Sequence, residues 1–404
     1  MHAADASAAV ARSLSSSRLS TWREPDLVIA TGKAAASMAA SLDAGVRGIV
    51  LLPRDAPAPS LPSGLRVLRA DHPIPTAAGI AASREVLNRV RGLEGGQRLL
   101  YLVSGGTSSL FEVPAPGLDE AGVIEVYRLL LDCGAPIHEL NVVRRALSAV
   151  KGGGLLRATA ADILTLAISD VAGDDPATIG SGPTVAKDES PEAALAVIER
   201  FGLRGRLPQN VLQVLAAPRE RPPILARDRG FHVICSVSRS IDAAAEEMRC
   251  RGYELIPPEL ARLEGDAVAA GASVAATIRE ALRVGAKRRA FVLGGETTLA
   301  VPAAAGRGGR NQHLAAYVAV RLEGVPGFAL ACGGTDGMDG RSEYAGGVVD
   351  GGTSSRVRAA GLDLDTSLRG FDTSTALAAS GDVLRTGSTG TNVGDVLVAA
   401  CSPG

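Results

Sequence analysis

The sequence predicts an α/β protein of two domains, each built on strands that alternate with helices. Three observations predict it. Short apolar runs of strand length end in glycine-rich or acidic loops, and helical patterns follow them. The chain has 404 residues, more than one compact core holds. From about residue 203 to 230 the rhythm gives way to segments rich in Pro, Arg and charge, namely Leu207-Pro208-Gln209-Asn210 and then Ala216 to Arg229. That stretch reads as a linker and sets domains of 1–215 and 216–404.

In the first half, Leu27-Val28-Ile29-Ala30 runs into Thr31-Gly32-Lys33 and an Ala-rich helical stretch. Gly48 to Leu52 is a second strand, ended by Pro53. Leu99 to Val103 meets Ser104-Gly105-Gly106-Thr107, and Ile163 to Ile168 meets Ser169-Asp170. In the second half, Phe231 to Cys235 is a strand, while Ser240 to Arg251 and Val268 to Val284 are helical. Ala290 to Leu293 leads into Gly294-Gly295-Glu296-Thr297-Thr298, Phe328 to Ala331 precedes Gly333-Gly334-Thr335-Asp336-Gly337, and Val396 to Ala400 closes the chain. Parallel sheets with helices on both faces bind ligands at the carboxyl ends of their strands, where these loops lie. The N-terminal segment lacks the apolar stretch of a secretory signal; it reads as an amphipathic helix in preference to a transit peptide.

Composition narrows the function classes. Aromatics are 3%, so the core must be built from Ala, Val, Leu and Ile. The formal net charge of -1 supplies no basic surplus for nucleic acid or an anionic membrane. No run of about 18 apolar residues exists to span a bilayer. The five cysteines form no CxxC pair and the five histidines are scattered singly, which suits reduced thiols in the cytoplasm and argues against a zinc site.

Two nucleotide motifs are missing. Gly32-Lys33-Ala34 lacks the leading glycine and the hydroxyl of a P-loop, and no G-x-G-x-x-G occurs. Six segments remain. Thr31-Gly32-Lys33-Ala34-Ala35 puts a lysine at a helix start, either on an anion or in solvent. Ser104-Gly105-Gly106-Thr107-Ser108-Ser109 offers backbone N–H groups and hydroxyls, or simply a capped turn. In His138 to Gly154, residues Asn141, Arg144, Ser148 and Lys151 fall within an arc of about 80° on one helix face. Such a face is a binding surface or a solvated one. Ser169-Asp170 to Asp175 supplies carboxylates that suit Mg²⁺ or proton acceptance, the alternative being an Asp-rich turn. Glu296, then Arg307, Arg310 and Asn311 within Gly306 to Gln312, put guanidinium forks among glycines, suited to an anion. Asp336 and Asp339, and Asn392 within Gly387 to Asp395, complete the set. Cationic and acidic loops together are the parts of phosphoryl transfer, in which cations neutralise phosphate and carboxylates hold metal or accept a proton.

Nine motifs in order resemble the class II glycerate 2-kinases, a family long mislabelled as hydroxypyruvate reductases. They are Gly32-Lys33-Ala34-Ala35, Asp71-His72-Pro73-Ile74-Pro75, Ser104-Gly105-Gly106, His138-Glu139-Leu140-Asn141 to Gly153, Ser169-Asp170 to Thr184, Gly294 to Thr298, Gly306 to Gln312, Gly334-Thr335-Asp336-Gly337 and Thr389 to Val393. The resemblance spans residues from about 26 to 400. It implies two Rossmann-like α/β/α domains with the active site in the cleft between them, and phosphorylation of D-glycerate to 2-phosphoglycerate with ATP and Mg²⁺. It implies Lys33 and Arg310 as the key cations across that cleft, and Asp170 and Asp174 as metal ligand or base. Ser104, Gly105, Gly106 and Thr107 would bind phosphate or substrate, joined by Asn141, Arg144, Lys151, Glu296, Arg307, Asn311, Asp336 and Asn392. The chain departs from the family pattern at Arg341-Ser342-Glu343-Tyr344, at Val237-Ser238-Arg239 and at Thr107, where a third glycine is common. A homodimer stays open. The alternatives are an NAD(P)H-dependent hydroxypyruvate reductase, disfavoured by the missing dinucleotide fingerprint, and a non-catalytic sensor, disfavoured by the intact Lys33 and Arg310.

Overall fold

The run Leu27–Thr31 is buried at every residue, as a strand covered on both faces must be. It is β1 in the computed structural model, which describes residues 4–402 apart from 58, 188, 218–220, 285, 286 and 304. The chain divides into two compact units: residues 6–234, and residues from 235 onward together with the first residues of the chain.

The first unit carries β1, β2 (Gly48–Pro53), β3 (Leu65–Ala70), β4 (Arg98–Val103), β5 (Asp162–Ile168) and β6 (Arg227–Cys235) in the order β3-β2-β1-β4-β5-β6. The pairs β1–β2, β2–β3, β1–β4 and β4–β5 are parallel. The chain winds outward from β1 to β3, returns, and continues from β4 on the other side of β1. The direction of winding therefore switches between β1 and β4, where a crevice opens at the strand ends. The sheet core gathers Ile29, Leu51, Leu99, Tyr101, Val103 and Ile163. A second cluster, including Val126, Leu130, Val143, Leu147, Ile198 and Val211, packs the helices Glu120–Asp132, Ile137–Leu147, Pro191–Arg200 and Gln209–Ala216 together. The N-terminal helix, Ala6–Ser15, buries Ala6, Ala9, Val10 and Leu14 on one stripe.

The second unit carries β7 (Glu254–Leu255), β8 (Arg289–Gly295), β9 (Phe328–Gly334), β10 (Gly346–Asp350), β11 (Val383–Leu384) and β12 (Asp395–Cys401) in the order β11-β10-β9-β12-β8-β7. This sheet is mixed. The last strand, β12, inserts between β8 and β9 antiparallel to both, and β10 runs antiparallel to β9. Burial alternates along β12: Leu397, Ala399 and Cys401 enter the core with the helices Ala267–Arg283 and Arg310–Arg321, while Val396 and Val398 are only half-buried on the opposite face. There they line a cavity of about 750 Å³ with Ala331, Ala243 and Ala244.

Four strands escaped the sequence reading, among them the two-residue β7 and β11. Leu65–Ala70 is an edge strand whose arginines break the apolar run, and Gly346–Asp350 reads as a glycine-acid loop although its backbone pairs with β9 and β11. The Pro/Arg-rich stretch from which the boundary at 215/216 was expected lies partly outside the described residues. Arg227–Cys235 beyond it belongs to the first sheet, so the compact unit extends to residue 234.

Candidate active site

In the first unit the loops after β1, β3, β4 and β5 meet at the crevice beside β1 and β4. Gly32 has φ +117, and a Cβ there would overlap Ser104 Oγ and the Ser104 carbonyl, so glycine lets the β1 loop lie against the β4 loop. Three hydrogen bonds tie the two together: Lys33 N to Gly105 O at 2.9 Å, Ala34 N to Ser104 Oγ at 3.0 Å and Ser104 N to Thr31 O at 3.0 Å. Ser104 thus spends its hydroxyl on the loop. Thr107, fully buried, donates to Ser104 O and meets Thr31 Oγ1 at 3.1 Å. The parts of this loop left facing the crevice are Gly105, Gly106 and Ser108.

Lys33 is exposed and its stem passes Gly106, as does the His72 ring from the loop after β3. A cavity of about 320 Å³ opens there, lined by Lys33, Arg54, Asp71 and His72 among others. His72 is pulled down to about 4, first by the protein mass around it, then by Lys33 and Arg144, so its imidazole is neutral at pH 7. Asp170, at the end of β5, presses against Gly105. It is open to solvent on one side and crowded by protein on the others; that crowding raises its carboxyl, against the pull of its backbone and Lys33. Asp174 follows in a tight turn at φ 54, with its Oδ1 buried and without a hydrogen-bond partner among the described residues.

The helix Ile137–Leu147 stops four residues short of Lys151, because Ser148 and Ala149 turn extended and pair with the segment at Val113–Ala115. The expected four-residue face is therefore two residues, Asn141 and Arg144, both buried. Asn141 Oδ1 accepts from Ser181 Oγ at 2.8 Å, and Ser181 meets Ser108 Oγ at 2.9 Å, linking the helix to the β4 loop. Arg144 lies over the Tyr127 ring, 5.0 Å from its centre. Lys151 is fully buried beside the same Tyr127 ring, 5.9 Å from its centre, with its ammonium on Glu112 and on Phe111 O at 3.1 Å.

The second unit presents its own cation. Arg310 opens the helix Arg310–Arg321 and grips the buried Asp395, Nε to Oδ2 at 2.6 Å and Nη2 to Oδ1 at 3.1 Å; Nη1 meets Glu296 at 2.6 Å. Burial works against its charge, but the two carboxylates raise its pKa further still. Asn311 is buried and engaged with Asp339, which accepts from the Asn311 and Gln312 N–H groups and closes the helix start. Burial pushes Asp339 up to about 6 against those bonds. Arg307 pairs with Glu343 in solvent. Asp336 accepts from Met338 N, and Asn392 from Gly394 N, so both shape loops at the ends of β9 and β12. No group of three or more His, Cys, Asp or Glu residues that could hold a metal occurs among the described residues.

Sequence reasoning missed Glu112, Tyr127 and Asp395 as members of these clusters, and met His72 only inside a motif. Asp395 was read only as the end of the Gly387 to Asp395 loop, although it opens the last strand. Its partner stands 85 residues earlier, a pairing no local pattern carries.

Residues 1–216 match a family described as a domain of unknown function, DUF4147, and residues 289–395 match the MOFRL family. A D-glycerate 2-kinase of Thermotoga maritima is 36% identical over 382 residues, covering 92% of this chain and 89% of its own. The crystal structure of a glycerate kinase from Thermotoga maritima superposes with a TM-score of 0.88 at 34% identity, over 99% of this chain and 96% of that one. The chain belongs to the glycerate kinase family. A protein of Agrobacterium vitis with a provisional hydroxypyruvate reductase name is 37% identical over 92% of this chain and 97% of its own, so this family carries both names. No helix among the described residues is long and apolar enough to cross a membrane.

Proposed function

We infer that the protein is an ATP-dependent cytoplasmic kinase that phosphorylates D-glycerate at its 2-hydroxyl, giving 2-phosphoglycerate and ADP. The observation that carries this reading is the near-full-length likeness to a D-glycerate 2-kinase, joined to a cationic crevice at the strand ends of the first unit. The sheet order β3-β2-β1-β4-β5-β6 is one used by dinucleotide-binding folds. Its first crossover, however, carries Thr31-Gly32-Lys33-Ala34-Ala35 where hydride-transfer enzymes place G-x-G-x-x-G. That difference favours phosphoryl transfer.

Each residue then has a task. Lys33 and the N–H groups of Gly105 and Gly106 neutralise anionic oxygens at the crevice. Asp170, its proton affinity raised by crowding, accepts the proton of the 2-hydroxyl as that oxygen attacks the γ-phosphorus and ADP leaves. Arg310, held by Asp395 and Glu296, gives the second unit a guanidinium suited to an anionic oxygen of the reactants. Mg²⁺ suits Asp174, whose buried Oδ1 lacks a hydrogen-bond partner among the described residues; the ion would neutralise phosphate charge there, and Asp170 is left to the proton. Phosphorus NMR of the product from ATP, Mg²⁺ and D-glycerate tests the regiochemistry. The phosphorus must couple to the single proton on carbon 2; coupling to the two protons on carbon 3 overturns the 2-hydroxyl assignment.

A further inference from the structure

Arg144 is 4% exposed, yet it makes no hydrogen bond or ion pair with any described residue, and its Nε is sealed from solvent. Other deeply buried cations of this unit are paired: Arg145 with Glu189 at 2.5 Å, and Lys151 with Glu112. A guanidinium without a partner in the interior is costly, and an anion from outside would offset that cost. A second observation points the same way. Asn141, one turn earlier on the same helix and 1% exposed, has its Oδ1 fixed by Ser181 while its Nδ2 donates to nothing among the described residues. Asn141 is tied through Ser181 to Ser108 of the β4 loop, at 2.8 and 2.9 Å, which puts the buried pair beside that loop, and the charges of Arg144 and Lys33 are both felt at His72.

We propose that Arg144 and Asn141 form a buried subsite that reads the carboxylate of the acceptor substrate, and that Tyr127, Glu112 and Lys151 are positioning residues that aim Arg144 at it. This deepens the glycerate kinase reading and rests on it. A planar fork beside an amide donor matches a carboxylate, which carries one charge and lies flat. The Tyr127 ring backs the guanidinium, and the Tyr127 hydroxyl and the Lys151 ammonium both occupy Glu112 Oε2. Glu112 thus spends Oε2 on those two donors; its Oε1 is buried without a hydrogen-bond partner among the described residues and makes no ion pair with Arg144, which it favours only through its charge. The same donors would accept a phosphate of the nucleotide, so the test must separate the two.

Calorimetric titration of the full chain with D-glycerate alone, without ATP, reads binding independently of catalysis. Steady-state kinetics then give KM for glycerate and for ATP, and the preference for glycerate over glyceramide, which lacks the carboxylate. In Arg144→Met and Asn141→Ala we expect kcat/KM for glycerate to fall, on the order of 10²-fold for the arginine, with KM for ATP unchanged and the preference over glyceramide collapsed. Arg144→Lys keeps charge but not the fork and recovers only part of the loss. Tyr127→Phe keeps the ring and frees Glu112 of one donor; KM for glycerate rises while glyceramide turnover stays as it was, a split that a merely structural tyrosine would not produce. Asn141→Ala keeps the test open should Arg144→Met not fold. A raised KM for ATP with unchanged glycerate binding would make this a phosphate subsite and overturn the proposal, as would variants that bind glycerate like the parent. A parent chain that binds glycerate through Arg144 but releases no ADP would overturn the kinase reading and leave the subsite standing.

Discussion

Arg310 and His72 carry the residue-scale account. Arg310→Ala removes the cation held by Asp395 and Glu296, and kcat should fall on the order of 10²-fold or more; an unchanged kcat would place the arginine outside the reaction. His72 should titrate at about 4 in an NMR experiment, well below its ordinary 6.5. The sign follows. The folded chain resists protonating this ring, so its contribution to stability is present above pH 6.5 and is lost as pH falls toward about 4. Because Lys33 and Arg144 help to depress it, a bound carboxylate that neutralises them should move the midpoint upward. A midpoint near 6.5 with and without D-glycerate contradicts this picture. Lys33 and Arg310 were legible in the sequence because each sits among glycines at a strand end or helix start. Glu112 and Tyr127 were not. They read as ordinary helix and loop residues, and their importance comes from burial against residues far along the chain.

At the scale of elements, the register between the β1 and β4 loops depends on Gly32. Gly32→Ala forces a Cβ into Ser104 at a backbone angle that L-residues avoid, and should cost about 1–3 kcal/mol in stability with a drop in kcat. Chemical denaturation checks the first and kinetics the second; a variant as stable and active as the parent would show that the two loops need not touch. The strands that read as unbroken apolar runs, such as Leu27 to Ala30 and Leu99 to Val103, were legible because burial on both faces writes one signal. Gly346–Asp350 was not, since its pairing rather than its composition makes it a strand. The helix at Ile137 shows a different failure. Periodicity continued through Lys151, but pairing of Ala149 with Val113 ended the helix at Leu147, which no helical pattern could report.

At the scale of the whole molecule, the division into two α/β units was legible from rhythm and length, and the mixed order of the second sheet was not. Antiparallel insertion of β12 between β8 and β9 is a matter of where the chain end returns, and nothing local encodes it. The extent of the first unit makes a further prediction. A chain ending at residue 215 lacks β6 and should be less stable to denaturant than one ending at 234; equal midpoints would show that the last strand adds nothing to that sheet. The central claim, that the glycine-rich loops at the strand ends serve phosphoryl transfer to glycerate, meets its most direct test in one assay. Purified protein is incubated with ATP, Mg²⁺ and D-glycerate, and ADP is followed. The account predicts ADP released in step with glycerate consumed; no ADP above background, together with NADH oxidation in the presence of hydroxypyruvate, would contradict it.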